Sequence, residues 1–245
     1  MSEPRKKICV VMQPTFLPWV GYFDLIDQSD YFVFLDNVQF EKSSWQQRNR
    51  ILTTKGLEWI SLPVKRKFPQ LICEAKIQME DFPRKHLRAI ECAYSRALFF
   101  NDLFPKLESI FNECDGSLCN LNIRVVKMLC GLIGMESQFV MASELDLPGR
   151  RSTLLGNICE RLGADIYLSP AGSEGYLIEE MLEFNQRKIK VLLHNYSPAE
   201  YDQLHRPFVP YASAIDLFFN QGPKSLETIR SGRKESKVMN EEENL

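Results

Sequence analysis

The sequence lacks the marks of several large protein classes. It has no charge of one sign to spare: 30 Lys and Arg stand against 32 Asp and Glu, a formal net charge of −2. Affinity for nucleic acid usually rests on excess positive charge, so this balance disfavours a nucleic-acid partner. It has no long apolar run. The stretch at 8–12 follows a polar start and is too short for a signal-peptide core. Nothing approaches the roughly 20 apolar residues that span a bilayer. We therefore expect a cytoplasmic protein with no stable membrane insertion. The seven cysteines (Cys9, Cys73, Cys92, Cys114, Cys119, Cys130 and Cys159) are odd in number and never spaced C-x-x-C. They read as reduced core residues rather than a disulfide or metal set. The three histidines, His86, His194 and His205, form no H-E-x-x-H, and no metal site is expected. Without G-x-S-x-G or G-x-x-x-x-G-K-[ST], a serine-hydrolase elbow and a Walker-type ATPase are disfavoured as well.

What is present is apolar mass. Of 245 residues, 44% are hydrophobic, enough to bury a core that offsets chain entropy. Residues 8–12 and 30–36 read as short buried strands, joined by a Pro-rich loop and the start of a helix at 22–28. Strand, loop, helix and strand within thirty residues is a βαβ unit, which implies a parallel sheet. Residues 37–50 read as a polar segment and 57–64 as a further strand. Helical spacing follows at 80–97, 103–114 and 117–132. Strands are expected at 138–141, 166–169 and 190–194, and helices at 152–162, 178–185 and 213–219, the last taken as the final full helix. The fold class is thus α/β, with a mainly parallel Rossmann-like sheet. We expect a single domain over 1–230 with a helical insertion at about 80–135, then a disordered polar tail at 231–245.

In an open α/β sheet, ligands bind at the carboxyl ends of the strands. Two polar constellations fall there. Gln13-Pro14-x-Phe16-x-Pro18-x-x-Gly21-Tyr22 follows the first strand. Gly21 there would let backbone approach a ligand and helix amides hold a phosphate. Asp36-Asn37-x-Gln39-x-x-Lys42-x-x-Trp45-x-x-Arg48-Asn49-Arg50 follows the second. Arginine forks suit carboxylate or phosphate, and an indole covers a base or sugar face. Between Asn37 and Lys67 only Glu41 and Glu58 are acidic, while Lys42, Arg48, Arg50, Lys65, Arg66 and Lys67 crowd the segment. A neutral total therefore conceals a local cationic site for an anionic small molecule. Ser152 and Thr153 at a helix start, and Ser169 and Gly172 in a glycine-rich turn after a strand, are further candidate phosphate contacts.

These motifs carry a resemblance. Met12-Gln13-Pro14-x-Phe16-x-Pro18-x-x-Gly21-Tyr22-Phe23, Asp36-x-x-Gln39-Phe40, Trp45-x-x-Arg48-Asn49-Arg50-Ile51, Tyr167-Leu168-Ser169-x-x-Gly172 and Ser213-x-Ile215-Asp216-Leu217-x-Phe219-Asn220-x-Gly222 are similar to the WbqC-like proteins, over roughly residues 7–230. The resemblance implies a role in bacterial surface polysaccharide (O-antigen) synthesis, as a transferase attaching a small acyl or aminoacyl group, such as glycyl, to a nucleotide-linked amino sugar. A looser resemblance links the opening to HIGH-type nucleotidyltransferases, with Trp19 and Tyr22 standing at the two histidine positions of H-x-G-H. It implies a Rossmann-like sheet of the nucleotidyltransferase (HUP-like) kind and an alternative activity, an acyl-adenylate ligase using ATP with Mg²⁺. A non-catalytic accessory protein that binds a sugar nucleotide is a third reading. For the transferase, Arg48 and Arg50 would grip phosphate or carboxylate. Gln13, Gln39, Lys42 and Asn49 would bind substrate, Trp45 and Tyr22 would line the sugar or base, and Asp36 or His86 would take the proton.

Overall fold

The computed structural model describes residues 5–65, 67–173, 175, 177 and 180–239. The chain opens with β1 (Ile8–Met12), α1 (Val20–Gln28) and β2 (Tyr31–Phe34), then forms the hairpin β3 (Arg48–Thr53) and β4 (Gly56–Ser61). Three helices follow: α2 (Arg84–Tyr94), α3 (Phe100–Asn112) and α4 (Leu118–Leu132). The chain returns through β5 (Gln138–Met141), α5 (Ala142–Leu145), α6 (Arg151–Leu162), β6 (Ile166–Ser169), α7 (Leu182–Asn185) and β7 (Lys190–Leu193). It closes with α8 (Ala214–Gln221), α9 (Ser225–Ser231) and β8 (Lys237–Val238).

The sheet order is β5-β2-β1-β6-β7-β8, parallel except for β8. From β1 the chain builds outward to β2 and β5, then crosses back and builds the other way from β6. The winding reverses between β1 and β6, so helices diverge there and a crevice opens at the carboxyl ends of those strands. This is a Rossmann-like α/β fold. The central strands β1 and β2 are apolar throughout because both faces are covered. Along β1, Val10 packs into the core on one face while Cys9 and Val11 pack into the other. Phe32 and Phe34 of β2 join Tyr22 and Phe139 in an aromatic group, with Phe34 and Phe139 stacked at 5.6 Å. Each such ring fully buried contributes about 1.5–3 kcal/mol.

Three local expectations change. The polar segment 37–50 ends in a strand, because Arg48 to Thr53 pair antiparallel with β4. The 213–219 helix is not the last, since α9 follows and packs on α1. The tail does not fray directly after Arg230. Arg233 ion-pairs with Asp24 and Asp27, Lys237–Val238 adds an antiparallel strand to β7, and Met239 is buried. Residues 240–245 lie outside the described residues, as do Glu174, Tyr176 and Ile178 of the stretch expected to hold the glycine-rich turn and a helix.

Candidate functional site

The β1–α1 loop is built from the inside. Phe16 and Leu17 are fully buried, and the Phe16 amide donates to the Trp45 carbonyl at 3.0 Å. Two asparagines staple this loop, Asn49 to β3 and Asn122 to the 41–47 turn. Asn49 Nδ2 donates to the Phe16 carbonyl at 3.1 Å. Asn122 Nδ2, on α4, donates to the carbonyls of Pro14 and Gln46 at 3.2 and 2.8 Å. Buried Gln46 donates its Nε2 to Gln13 Oε1 at 2.9 Å. The oxygen of Gln13 is thereby used, and its NH₂ group is the part available to a ligand. Tyr22 is 1% exposed and donates its hydroxyl to the Gln13 carbonyl at 3.1 Å. Burial pushes that phenol well above its ordinary value of 10.0, so it stays a neutral donor.

Two cavities open against this loop and share Met12, Thr15 and Trp45 in their walls. The first, about 280 Å³, is closed by Trp19, Tyr22, Asn49, Arg50 and Tyr211. The second, about 630 Å³, lies at the switch point and is walled by Gln13, Leu35, Glu41, Arg151, Tyr167 and Pro170, among others. Strand alternation puts Arg48 and Arg50 on one face of β3 and buried Asn49 on the other. Register sets Trp59 opposite Arg50, where the Arg48 guanidinium lies 4.3 Å and that of Arg50 5.8 Å from the indole centroid. The Trp45 and Trp59 rings are 5.4 Å apart, each about half exposed at 51%. Arg50 Nε is buried without a partner, and among the described residues no carboxylate pairs with this guanidinium. A buried, unpaired cationic donor costs free energy that a bound anion would recover. Together the walls offer a half-exposed indole, guanidinium charge and a free amide donor.

The structure sorts the residues expected here. Gln13, Tyr22, Trp45, Asn49 and Arg50 line the cleft, and Arg48 stands over Trp59 beside it. Asp36 lines neither cavity. It is 1% exposed, its Oδ1 accepts from the Ser143 amide at 2.9 Å and its Oδ2 from the Ser143 hydroxyl at 2.7 Å, joining the end of β2 to the start of α5. His86 also lines neither. Its Nε2 donates to the Ser61 carbonyl at 2.9 Å and its ring packs on Phe82. Burial lowers its pKa below the ordinary 6.5, against the opposing pull of that hydrogen bond. Gly21 leaves no room for a ligand, because the space of its missing Cβ is filled by the Trp19 indole, 2.4 Å from an ideal Cβ. The Ser152 amide donates to Glu180 Oε2 at 3.1 Å, so the protein's own carboxylate sits at the α6 N-terminus, with Thr153 next along the helix. Ser169 is fully buried with its hydroxyl toward the Pro170 carbonyl, and Gly172 stands exposed in a short 3₁₀ turn. Gln39 and Lys42 line a separate groove with Lys65 and Lys67. The single cationic site expected from the composition is therefore two, and Arg66 lies outside the described residues.

Sequence reasoning missed Tyr211, Glu41 and Arg151 as wall residues, and Trp59 as the ring beside Trp45. Tyr211 and Arg151 stood beside the quoted motifs, and pairing of 48–53 with 56–61 would have found Trp59. It also missed a buried ionic group behind the cleft. Asp24 is fully buried, accepting from His194 Nε2 at 2.7 Å and Arg233 Nε at 2.9 Å. The His194 ring stacks on Tyr196, which meets Trp19 edge-on at 5.7 Å. Among the described residues, no group of three or more His, Cys, Asp or Glu gathers as a metal site, and no helix is long and apolar enough to cross a membrane.

Comparison with known proteins places these features in a family. The chain is 34% identical over 229 residues to a protein of Mycobacterium tuberculosis (strain ATCC 25618 / H37Rv) whose name reads "Uncharacterized protein Rv1507c", covering 92% of this chain and 98% of that one. No solved structure matches. The model of the WbqC-like protein family matches residues 13–228, which takes in the β1–α1 loop, most of the walls of both cavities and the α8 helix. The chain belongs to the WbqC-like protein family.

Proposed function

We propose that this protein is a transferase of bacterial surface-polysaccharide synthesis, which attaches a small acyl or aminoacyl group, for example glycyl, to a nucleotide-linked amino sugar. The observation that carries the reading is Arg50, a guanidinium with a buried, unpartnered Nε beside the Trp45–Trp59 pair, in the cavity that shares Met12, Thr15 and Trp45 with the larger one at the switch point of a Rossmann-like sheet. Arg50, with Arg48 beside it, neutralises phosphate. Trp45 covers the base or sugar ring. The Gln13 amide donates to a sugar hydroxyl.

In the transfer, the sugar amine attacks the acyl carbonyl carbon. A C–N bond forms, the bond from that carbon to its carrier breaks, and the carrier leaves with the electron pair. The amine proton passes to a base and from there to the leaving group. Among the described residues that line the cleft, Glu41 is the carboxylate, and it is suited to this step. Asp36 and His86 hold the frame instead, through Ser143 and Ser61. Adenylyl transfer is the weaker reading. At the two histidine positions of the HIGH-type element, Trp19 packs over Gly21 and Tyr22 is tied to the Gln13 carbonyl, so neither offers a cation to ATP.

The test is incubation of the purified protein with nucleotide-linked amino sugars and activated acyl donors, read as a mass increase on the sugar. Arg50→Gln should weaken sugar-nucleotide binding at least tenfold, and Glu41→Gln should lower turnover with binding kept. Binding without turnover for every donor would turn the reading into that of an accessory protein. Unchanged binding in Arg50→Gln would end it.

A further inference from the structure

The groove holding Gln39 and Lys42 has no part in the cleft chemistry above. Its volume is about 940 Å³, and its walls carry Lys42, Lys65 and Lys67 with no Asp or Glu. None of these three lysines pairs with a carboxylate among the described residues, whereas Arg124, Arg187, Arg230 and Arg233 all do. Three unpaired ammonium groups around one concave surface repel each other and focus a positive field. In a chain of net charge −2, such a concentration is not a by-product of composition.

The walls are fixed by backbone. Lys65 donates its amide to the Lys76 carbonyl at 2.8 Å, Gln78 to the Pro63 carbonyl at 2.7 Å, and Phe40 to the Gln70 carbonyl at 2.8 Å. Gln39 and Gln78 add amide groups to the walls, and Phe68 stands 89% exposed among them. The 41–47 turn divides this groove from the cleft. Glu41 and Trp45 face the cleft, while Lys42 and Gln47 face the groove. A ligand seated in the groove therefore lies one turn of chain away from the bound sugar.

We propose that this groove is a second anion site, which binds the polyphosphate part of the carrier that brings the acyl group. Lysine is a compact point charge and suits several phosphates along a flexible chain. The groove's affinity for polyphosphate stands on its own lysines, while its naming as the carrier's seat rests on the transferase reading above.

The experiment is calorimetric titration of the intact protein with inorganic tripolyphosphate, beside its triple variant Lys42→Gln, Lys65→Gln, Lys67→Gln, and Arg50→Gln. We expect the triple variant to lose at least tenfold in its tightest tripolyphosphate binding with an unchanged melting temperature, and Arg50→Gln to keep that tightest site. The wild-type affinity should fall as ionic strength rises from about 0.01 to 0.15 M, because exposed charges are screened over roughly 30 and 8 Å respectively. Absence of binding overturns the proposal. So does binding that is lost in Arg50→Gln and kept in the triple variant, which leaves the cleft reading intact. Binding of a single-stranded oligonucleotide more tightly than tripolyphosphate also overturns it, in favour of a nucleic-acid surface. If the triple variant behaves as expected while Arg50→Gln leaves sugar-nucleotide binding untouched, the groove stands and the transferase reading falls.

Discussion

Gly21→Ala separates two explanations of the same glycine. In the ligand explanation, the missing side chain lets backbone approach a phosphate. In the structural one, it makes room for Trp19. An ideal Cβ at position 21 would sit 2.4 Å from the Cη2 and Cζ2 atoms of the Trp19 ring and 2.9 Å from its Cε2. Ordinary contact is about 3.5–4.0 Å, so the ring must move by roughly 1 Å or more. It is hemmed by Tyr196 and Tyr211, whose centroids lie 5.7 and 5.6 Å away, and its backbone is bridged to Ser213. Overpacking of this kind costs about 1–3 kcal/mol. Alanine in place of glycine in α1 returns up to about 1 kcal/mol of helix propensity. The steric cost wins, and the net loss is about 1–2 kcal/mol, a fall in melting temperature of roughly 2–8 °C for a domain of this size. The displaced indole also intrudes on the 280 Å³ cavity, so ligand affinity falls with stability. The decisive assay is a double-mutant cycle by thermal or urea unfolding. In a Trp19→Ala background the ring is gone, and Gly21→Ala should become neutral or stabilising, a coupling of at least about 1 kcal/mol. If Gly21→Ala leaves stability unchanged in the wild-type background and removes only ligand binding, the structural explanation is refuted.

Asp36→Ala should lower stability by about 1–3 kcal/mol, because it leaves the Ser143 hydroxyl and amide unpaired. Ser143→Ala should reproduce part of that loss in a urea titration, and a fully stable Asp36→Ala would contradict the framing role. Burial pushes the Asp27 carboxyl up, but hydrogen bonds and charge from Arg230 and Arg233 outweigh it and hold the group below 3.8. A carboxylate with a lowered folded pKa contributes stability above its unfolded pKa and loses it as pH falls through the folded value. Asp27→Asn should therefore cost about 1–2 kcal/mol at pH 7, discounted because Arg230 is exposed, with the difference from wild type shrinking below about pH 4. Trp45→Ala should weaken sugar-nucleotide binding about tenfold while moving the melting temperature little, since the ring is half exposed. Burial pushes the Cys119 and Cys130 thiols up to about 12, so only about one in 10⁴ is thiolate at pH 8. With iodoacetamide, exposed Cys92 should be modified first and these two only after denaturation, as peptide mass mapping would show.

Much of the fold was legible because it is written in short-range pattern. An unbroken β-branched run such as Ile8–Met12 has one stable home, a strand covered on both faces, and the alternation of such runs with helical periods implies the parallel sheet. From there, the rule that ligands bind at carboxyl strand ends was enough to single out Gln13, Tyr22, Trp45, Asn49 and Arg50. Elements without their own pattern were not legible. The polar stretch Arg48–Asn49–Arg50 becomes a strand through its partners across the hairpin, and β8 has two residues that mean nothing without β7. Side-chain roles depended on still longer reach. Asp36 looked like a base at a sheet edge until Ser143, 107 residues away, took both its oxygens.

By itself, then, the sequence determined the fold class and pointed to the edge of the sheet where the cavities open, since both follow from periodicity and strand direction. Only the tertiary structure decided which polar groups are spent and which are free. Asn49, Asn122 and Gln46 are used as staples, while Arg50 Nε and the three groove lysines are left without a counter-charge among the described residues. That division is a matter of hydrogen-bond partners distant along the chain, which local pattern does not encode.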